Sequence, residues 1–176
     1  MWLQPIVTIA ATDEPVTLVE AKRQVRVDFA DDDDYLTDLI ATARNHAEKY
    51  CGVYLAEQTV AVQGEDWCDL AHLPVRPVQT ITSLAYVDVT GAPQTLATSV
   101  YELRGDAIVL KYGQVWPPMR YGSLITLTAV VGFADVDPAV KHAILLRVAD
   151  LYENRESASD ANWTTIDSLL SNHRYY

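Results

Sequence analysis

Histidines, cysteines and clustered carboxylates are the side chains of this sequence that could do chemistry. The four histidines, His46, His72, His142 and His173, are scattered along the chain. No HExxH, GxSxG, GxGxxG or P-loop motif accompanies them. His46 and His142 fall on the polar flanks of two predicted helices, so we expect both to be solvated. These residues indicate no reaction centre.

Two groups of residues could bind a metal ion. Cys51, Cys68 and His72 supply three zinc-binding side chains, but their spacing matches no familiar zinc finger. The acidic run Asp31–Asp34 resembles a calcium loop only in charge, because an EF-hand loop needs glycine at its sixth position, where this chain has Leu36. We therefore expect neither metal nor cofactor. Both cysteines are expected as free thiols, with Cys51 buried on a helix.

Acid–base catalysis would need paired carboxylates close to a substrate. Glu65 with Asp66 and Asp135 with Asp137 are such pairs, but both pairs lie in predicted loops. The sequence predicts a protein that is not an enzyme, and a hydrolase whose titratable groups converge only in the fold stays an alternative.

Composition limits the class of protein. The chain has 176 residues, of which 49% are hydrophobic, and a net charge of -11, which suits one globular domain or one domain with an inserted lobe. A strongly acidic protein does not grip nucleic-acid phosphates over a broad surface. No apolar run approaches the roughly 20 residues that span a membrane.

Three stretches have helical signals. Apolar residues recur every three or four positions between Asp31 and Gly52, where the aspartates favour the helix start and the glycine its end. A second amphipathic helix begins at Asp137-Pro138, and a capping box spans Thr17–Glu20. We therefore predict helices near 17–27, 32–51 and 138–156, with the last two packed together.

The segment of about 57–132 changes to a period of two, which is typical of strands. Turn signals separate several short strands, so a small sandwich or barrel is the default prediction for this lobe. Its last strand, Leu124–Val131, is nearly all apolar or β-branched and is expected to be buried on both faces.

The predicted fold is α+β, with a small antiparallel β-lobe inserted into a helical base. The predicted parts are an extended N-terminal arm (1–16), the helical base (17–56 plus 133–156), the inserted lobe (57–132) and a polar C-terminal tail (157–176). Residues 1–11 could pair with a neighbouring subunit or form an edge strand of their own domain.

Two groups of residues are candidates for contacts with a partner. Lys22, Arg23 and Arg26 form the densest basic cluster in an acidic protein, which suits either a solvated face or an acidic partner surface. The tail has too few apolar residues to form its own core, and its end is rich in residues common at interfaces. Its candidate contacts are Ile166, Leu169, Leu170, Arg174, Tyr175 and Tyr176.

Several sequence blocks, in this order and spacing, resemble the head-tail connector (adaptor) proteins of long-tailed bacteriophages and prophages. The resemblance covers nearly the whole chain. Its blocks are Pro15 to Lys22, Val25 to Asp28 with the aspartate run, Ala43-Arg44 with Glu48 before Cys51-Gly52, Leu73-Pro74 with Pro77-Val78, the Tyr86 to Leu96 hairpin, Trp116-Pro117, Val131 to Phe133 before Pro138, Leu151 to Glu156, and Leu169-Leu170 with Arg174.

The resemblance implies a structural role in the virion. Connectors of this family form a ring of about twelve subunits below the portal protein, extend the DNA channel and dock a head-closure (stopper) or tail protein. It thus implies synthesis in the bacterial cytoplasm, a place at the head-tail junction, and genomic DNA that passes without sequence-specific binding. It implies no membrane partner.

A different class of protein stays open at this stage. A non-enzymatic ligand- or carbohydrate-binding module carried on a helical base would need a cleft lined by Trp67, Trp116 and nearby tyrosines.

Overall fold

The computed structural model of the chain describes residues 1–154 and 163–175. Its elements in chain order are β1 (Ile6–Ile9), α1 (Leu18–Val25), α2 (Asp33–Cys51), β2 (Gln58–Gly64), β3 (Val78–Val87), β4 (Pro93–Thr95), β5 (Tyr101–Arg104), β6 (Ala107–Leu110), β7 (Ile125–Val131), α3 (Pro138–Glu153) and α4 (Trp163–Leu170). Short 3-10 helices occupy Trp67–Ala71 and Ser171–His173. The predicted α+β class is confirmed.

The chain divides into two compact units. A β unit comprises Met1–Thr12 and Glu57–Phe133, and a helical unit comprises Asp13–Ala56 and Ala134–Tyr176.

In the helical unit, α2 and α3 pack together as predicted, and α1 and α4 both pack on α3. The shared core contains Leu36, Ile40 and Ala43 from α2 with Val140 and Ile144 from α3. The 3.6-residue spacing of these positions places them on one face of each helix. Burial of these faces holds the helices together.

Local sequence signals begin and end the helices largely as expected. The Thr17–Glu20 capping box is present, and Asp137 caps α3 by accepting a hydrogen bond of 2.8 Å from the backbone N–H of Ala139. Gly52 ends α2 with a φ of 70°. Asp32 precedes α2 without a side-chain cap, because its carboxylate accepts the hydroxyl of Tyr152.

The β unit contains an open five-stranded antiparallel sheet in the order β1-β2-β7-β3-β4, and a separate β5-β6 hairpin. The sequence predicted a small sandwich or barrel for this lobe, and the barrel was wrong, because the five-stranded sheet ends at β1 and β4. The central strand β7 buries every second side chain, from Ile125 to Val131, while the alternate ones are half-buried. Complete burial of both faces was therefore an overestimate.

Candidate functional site

The basic cluster on α1 divides into one paired and two exposed cations. The ammonium group of Lys22 lies 2.6 Å from the carboxylate of Asp33 and 2.6 Å from the carbonyl oxygen of Phe29. Arg23 and Arg26 are exposed. Arg26 ends α1 in the left-handed conformation, with a φ of 58°. Of the three candidates, Lys22 serves its own fold, while Arg23 and Arg26 are accessible to a partner.

The apolar residues of the predicted tail lie inside the helical unit. Ile166 and Leu170 are only 4% and 2% exposed, and Leu169 is half-buried against the same core. This packing explains their apolar character without a second protein, because α4 docks onto α3 of its own chain. Contacts of these three residues with a partner stay a prediction.

The last described residues pack against the end of α2. The guanidinium of Arg174 lies 5.1 Å from the centre of the Tyr50 ring, a cation–π distance. The backbone N–H of Tyr175 donates to the carbonyl oxygen of Cys51 at 2.8 Å, while the Tyr175 side chain is 56% exposed. Tyr176 lies outside the described residues. Tyr175 is thus positioned by its backbone, and its ring is accessible.

A buried carboxylate that the sequence did not single out ties the end of α2 to the following chain. Glu48 is 8% exposed, and one of its oxygens accepts the backbone N–H groups of Leu55 at 2.8 Å and Ala56 at 3.4 Å. Its other oxygen lies 2.7 Å from Arg44, which also binds Glu14 at 2.7 Å. The four-residue spacing of Arg44 and Glu48 is typical of an ion pair within a helix, but this spacing does not indicate that the pair is buried.

Burial is the largest single influence on the pKa values of Glu48 and Arg44. Burial raises the pKa of Glu48, against the opposing effects of the Leu55 N–H and of Arg44. Burial also lowers the pKa of Arg44, but the hydrogen bond to Glu14 and the charge of Glu48 outweigh it, so that pKa is raised overall. Each charge thus has a partner, as a buried ion requires.

A second polar cluster lies on α2 and α3. The buried carboxylate of Asp150 accepts hydrogen bonds from Arg147 at 2.8 Å and Asn154 at 3.0 Å. Burial, with the nearby charges of Arg147 and Lys49, lowers the pKa of His46. The prediction of a solvated His46 was wrong, because it lines a cavity of about 10 Å³ that is scarcely large enough for one water. His142 is exposed, as expected.

The loop carboxylates serve local structure. Asp66 accepts the backbone N–H of Cys68 at 3.4 Å and begins a 3-10 turn, and Asp137 is the α3 cap described above. Asp135 pairs with Lys141 at 3.1 Å, and Glu65 with the Met1 amino group at 3.3 Å. These contacts place the carboxylates in capping and pairing roles.

Two tryptophans of the β unit, Trp67 and Trp116, pack on one another. The rings of Trp67 and Trp116 are stacked, with centroids 4.9 Å apart and an angle of 3° between planes, and Tyr86 meets Trp67 edge-on at 5.3 Å. The indole N–H of Trp67 donates to the carbonyl oxygen of Pro117 at 3.0 Å. The rings that a binding cleft would need therefore cover one another.

The N-terminal segment is anchored to the β unit. The indole N–H of Trp2 donates to the carbonyl oxygens of Asp69 at 3.1 Å and His72 at 2.7 Å. The Trp2 ring lies over Gly64, where an added Cβ would be 2.9 Å from the ring. Strand β1 then pairs antiparallel with β2. Of the two arrangements open for residues 1–11, the structure has the edge strand.

Within the part of the chain that the structure describes, no group of three or more histidine, cysteine, aspartate or glutamate side chains could hold a metal ion. Cys51 is buried and Cys68 exposed, each as a free thiol. Among residues 1–154 and 163–175, no helix is both long and apolar enough to cross a membrane.

The polar contacts described above stabilise the protein's own fold, and several exposed side chains remain accessible to other molecules. Residues 15–90 match the model of the family described as phage gp6-like head-tail connector protein. The resemblance to head-tail connectors stated from the sequence is therefore confirmed. No curated protein sequence matches the chain significantly.

The fold is similar to chains in three structures of gene transfer agent (GTA) particles. A chain from the neck of an empty particle, computed with C6 symmetry, has a TM-score of 0.81. Chains from the virion of a native particle and from a native neck computed with C12 symmetry have TM-scores of 0.82 and 0.81. Each alignment covers 99% of this chain and 96% of the other at 20% identity. The family match and the shared fold support a structural connector role.

Proposed function

We propose that this protein is a head-tail connector subunit that forms a ring of about twelve copies below the portal of a phage-like particle. The ring extends the DNA channel and docks a head-closure or tail protein, and its role is structural and non-enzymatic. The protein is made in the bacterial cytoplasm and assembled into the virion. The observation that carries this proposal is the match of residues 15–90 to the connector family.

The charge of the protein supports a channel through which DNA slides. A net charge of -11 repels phosphates and offers little counterion release, which is what rewards tight DNA binding. DNA is therefore a passing molecule in this proposal and not a sequence-specific ligand.

The exposed candidates are the proposed contacts with the portal and with the head-closure or tail protein. Arg23 and Arg26 are exposed cations on an acidic protein, and Tyr175 presents an accessible ring. Arginine and tyrosine are enriched at protein interfaces. Ile166, Leu169 and Leu170 contribute by holding α4, which positions Arg174 and Tyr175. Partner contacts of the 1–11 arm belong to the same proposal.

Electron microscopy of the purified chain, alone and mixed with the portal protein of the same genome, tests the proposal. We expect annular particles or a stable complex with the portal. A chain that forms neither, over a range of salt and protein concentrations, would contradict the connector role.

Charge reversal tests the α1 contact. Arg23→Glu combined with Arg26→Glu should weaken portal binding about tenfold or more, because two exposed cations are replaced by anions. Lys49→Glu is the matched control, since Lys49 is also an exposed cation on a helix of the same unit. Equal binding by the double variant and the control would remove Arg23 and Arg26 from the interface.

A further inference from the structure

The two outer strands of the five-stranded sheet differ from its central strands in exposure. All four side chains of β1 and all three of β4 are exposed, whereas β2 and β7 alternate between buried and partly exposed positions. In the described ranges, 1–154 and 163–175, each outer strand pairs with one neighbouring strand of the sheet, which leaves its other backbone edge without a strand partner. Backbone N–H and C=O groups at such an edge can pair with another strand.

The two edge segments contain no charged residues, in a chain with 24 acidic and 13 basic side chains, although the carboxylate of Asp88 accepts a hydrogen bond of 3.0 Å from the Gln94 side chain of β4. Residues 2–12, which contain β1, and residues 89–101, which contain β4, include no aspartate, glutamate, lysine, arginine or histidine. Proteins protect open edges with charged side chains, especially lysine, with proline, or by keeping the edge strand short. Strand β4 has three residues and begins with Pro93, but neither outer strand contains a charged residue. Here the β1 edge instead exposes Ile6 by 67%, Val7 by 46% and Ile9 by 61%.

We infer that β1 of one copy pairs with β4 of the next copy, so that the sheets of neighbouring subunits join edge to edge. This inference rests on the proposed ring. A ring needs a heterologous interface, in which two different surfaces of one chain complement each other. The two open edges supply such surfaces, because strand addition joins the N–H groups of one edge to the C=O groups of the other.

A second copy suits these edges for an electrostatic reason. Identical chains of charge -11 repel each other, and the repulsion is reduced where the facing strands themselves contain no charged residues. The similar GTA neck structures were computed with C6 and C12 symmetry, which repeats one contact around an axis.

The strand directions define the pairing. Four successive antiparallel pairings connect β1 to β4, so these two strands run in the same direction. Neighbours in a ring of about twelve differ by a rotation of only about 30°. The β1–β4 pairing between copies is therefore parallel. It is also short, because β4 has three residues and β1 has a register shift between Val7 and Ile9.

Cysteine cross-linking of assembled rings tests the inference. In a Cys68→Ser background, Val7→Cys and Gln94→Cys are introduced together, at exposed positions on β1 and β4. Mild oxidation of portal-bound rings should convert the double variant into a ladder of disulfide-linked multimers. Each single variant should stay largely monomeric, because a heterologous contact brings residue 7 to residue 94 and not to its own copy. Val19→Cys with Gln94→Cys is the control pair, since Val19 is 65% exposed but lies on α1.

The outcomes separate this inference from the proposed function. Annular particles without a ladder, or a ladder equally strong in the control pair, would overturn the edge pairing and leave the connector role intact. Absence of both rings and portal binding would overturn both.

Ring formation by a variant with a charge on the β1 edge tests the pairing independently. Ile9→Glu should lower the fraction of subunits in rings about tenfold, whereas Val19→Glu, at a similarly exposed apolar residue, should leave it unchanged. Circular dichroism of each variant checks that the fold is retained. Normal ring formation by folded Ile9→Glu would contradict the pairing.

Discussion

The helical unit and the β unit satisfy their backbones in different ways. In the helical unit, Thr17, Asp137 and the buried Glu48 bind the N–H groups that helices and turns leave unpaired. In the β unit, every strand needs a neighbour, and the sheet ends in two open edges. The described helices of the helical unit therefore present side chains to a partner, while the β unit can also present the backbone of its edge strands.

The two units also bury polar groups differently. Glu48 and Asp150 of the helical unit are almost fully buried carboxylates with cationic partners, whereas the central strands of the β unit bury mainly apolar residues at alternate positions. Loss of one partner leaves a buried ion uncompensated, which is costlier than loss of a surface contact. We therefore expect the largest single-residue effect in the helical unit.

Glu48→Ala should have that effect. It removes the acceptor for two backbone N–H groups and a partner of Arg44, at an expected cost of about 3 kcal/mol in the free energy of unfolding. Urea unfolding followed by far-UV circular dichroism measures it. Glu48→Gln is the matched variant and should cost less, because its side-chain oxygen can still accept the N–H of Leu55. Losses below about 0.5 kcal/mol for the alanine variant would contradict a structural role for this carboxylate.

The corresponding test in the β unit is Gly64→Ala. Its new Cβ would lie 2.9 Å from the Trp2 ring, so the ring must shift away from the carbonyl groups of Asp69 and His72. Overpacking of this kind costs about 1–3 kcal/mol.

Thermal unfolding of Gly64→Ala, Trp2→Ala and the double variant measures that cost. If the ring causes the strain, alanine at position 64 should be much better tolerated once Trp2 is removed. Additive losses in the double variant would show that Gly64 matters for another reason.

In the helical unit, the sequence predicted the helix ends but not the burial of Glu48. The capping box at Thr17, the cap at Asp137 and the end of α2 at Gly52 depend on residues within one helical turn, and all three were predicted. The burial of Glu48 depends on backbone N–H groups at Leu55 and Ala56, which periodicity within α2 cannot reveal.

Long-range contacts were harder to predict in the β unit. The strand-like period of 57–132 and the strand Leu124–Val131 were predicted. The order β1-β2-β7-β3-β4, however, joins segments far apart in the chain, and so does the Trp67–Trp116 stack. A period of two indicates a strand and does not specify its neighbours, which is why an open sheet was predicted as a sandwich or barrel.

A smaller effect is expected from Thr17→Ala at the start of α1. The hydroxyl of Thr17 accepts the backbone N–H of Glu20 at 3.3 Å, and the Glu20 carboxylate accepts the N–H of Thr17 at 2.8 Å. Loss of the cap should cost about 1 kcal/mol, measured by urea unfolding. Val19→Ala in the same helix is the control, because Val19 is 65% exposed and makes no cap. Equal effects of the two changes would show that the box contributes nothing.

The smallest expected effect, and the sharpest contrast between the units, is the titration of two carboxyl groups. Hydrogen bonds from Thr90, Gln94 and Ala92 lower the pKa of Asp88 to about 2, whereas burial raises the pKa of Glu48. The lowered pKa of Asp88 means that its contribution to stability is present above the ordinary value near 3.8 and is lost as the pH falls through about 2.

The raised pKa of Glu48 has the opposite sign. Its titration favours the folded state below the ordinary value of 4.5, and that contribution is lost as the pH rises through the higher folded pKa. Carboxyl ¹³C chemical shifts followed by NMR during acidification measure both groups in one sample. Asp88 should stay ionised after Glu48 has been protonated. Protonation of Asp88 before Glu48 would mean that the positive charge of Arg44 outweighs burial at Glu48. The expected contrast between these two carboxyl groups would then be absent.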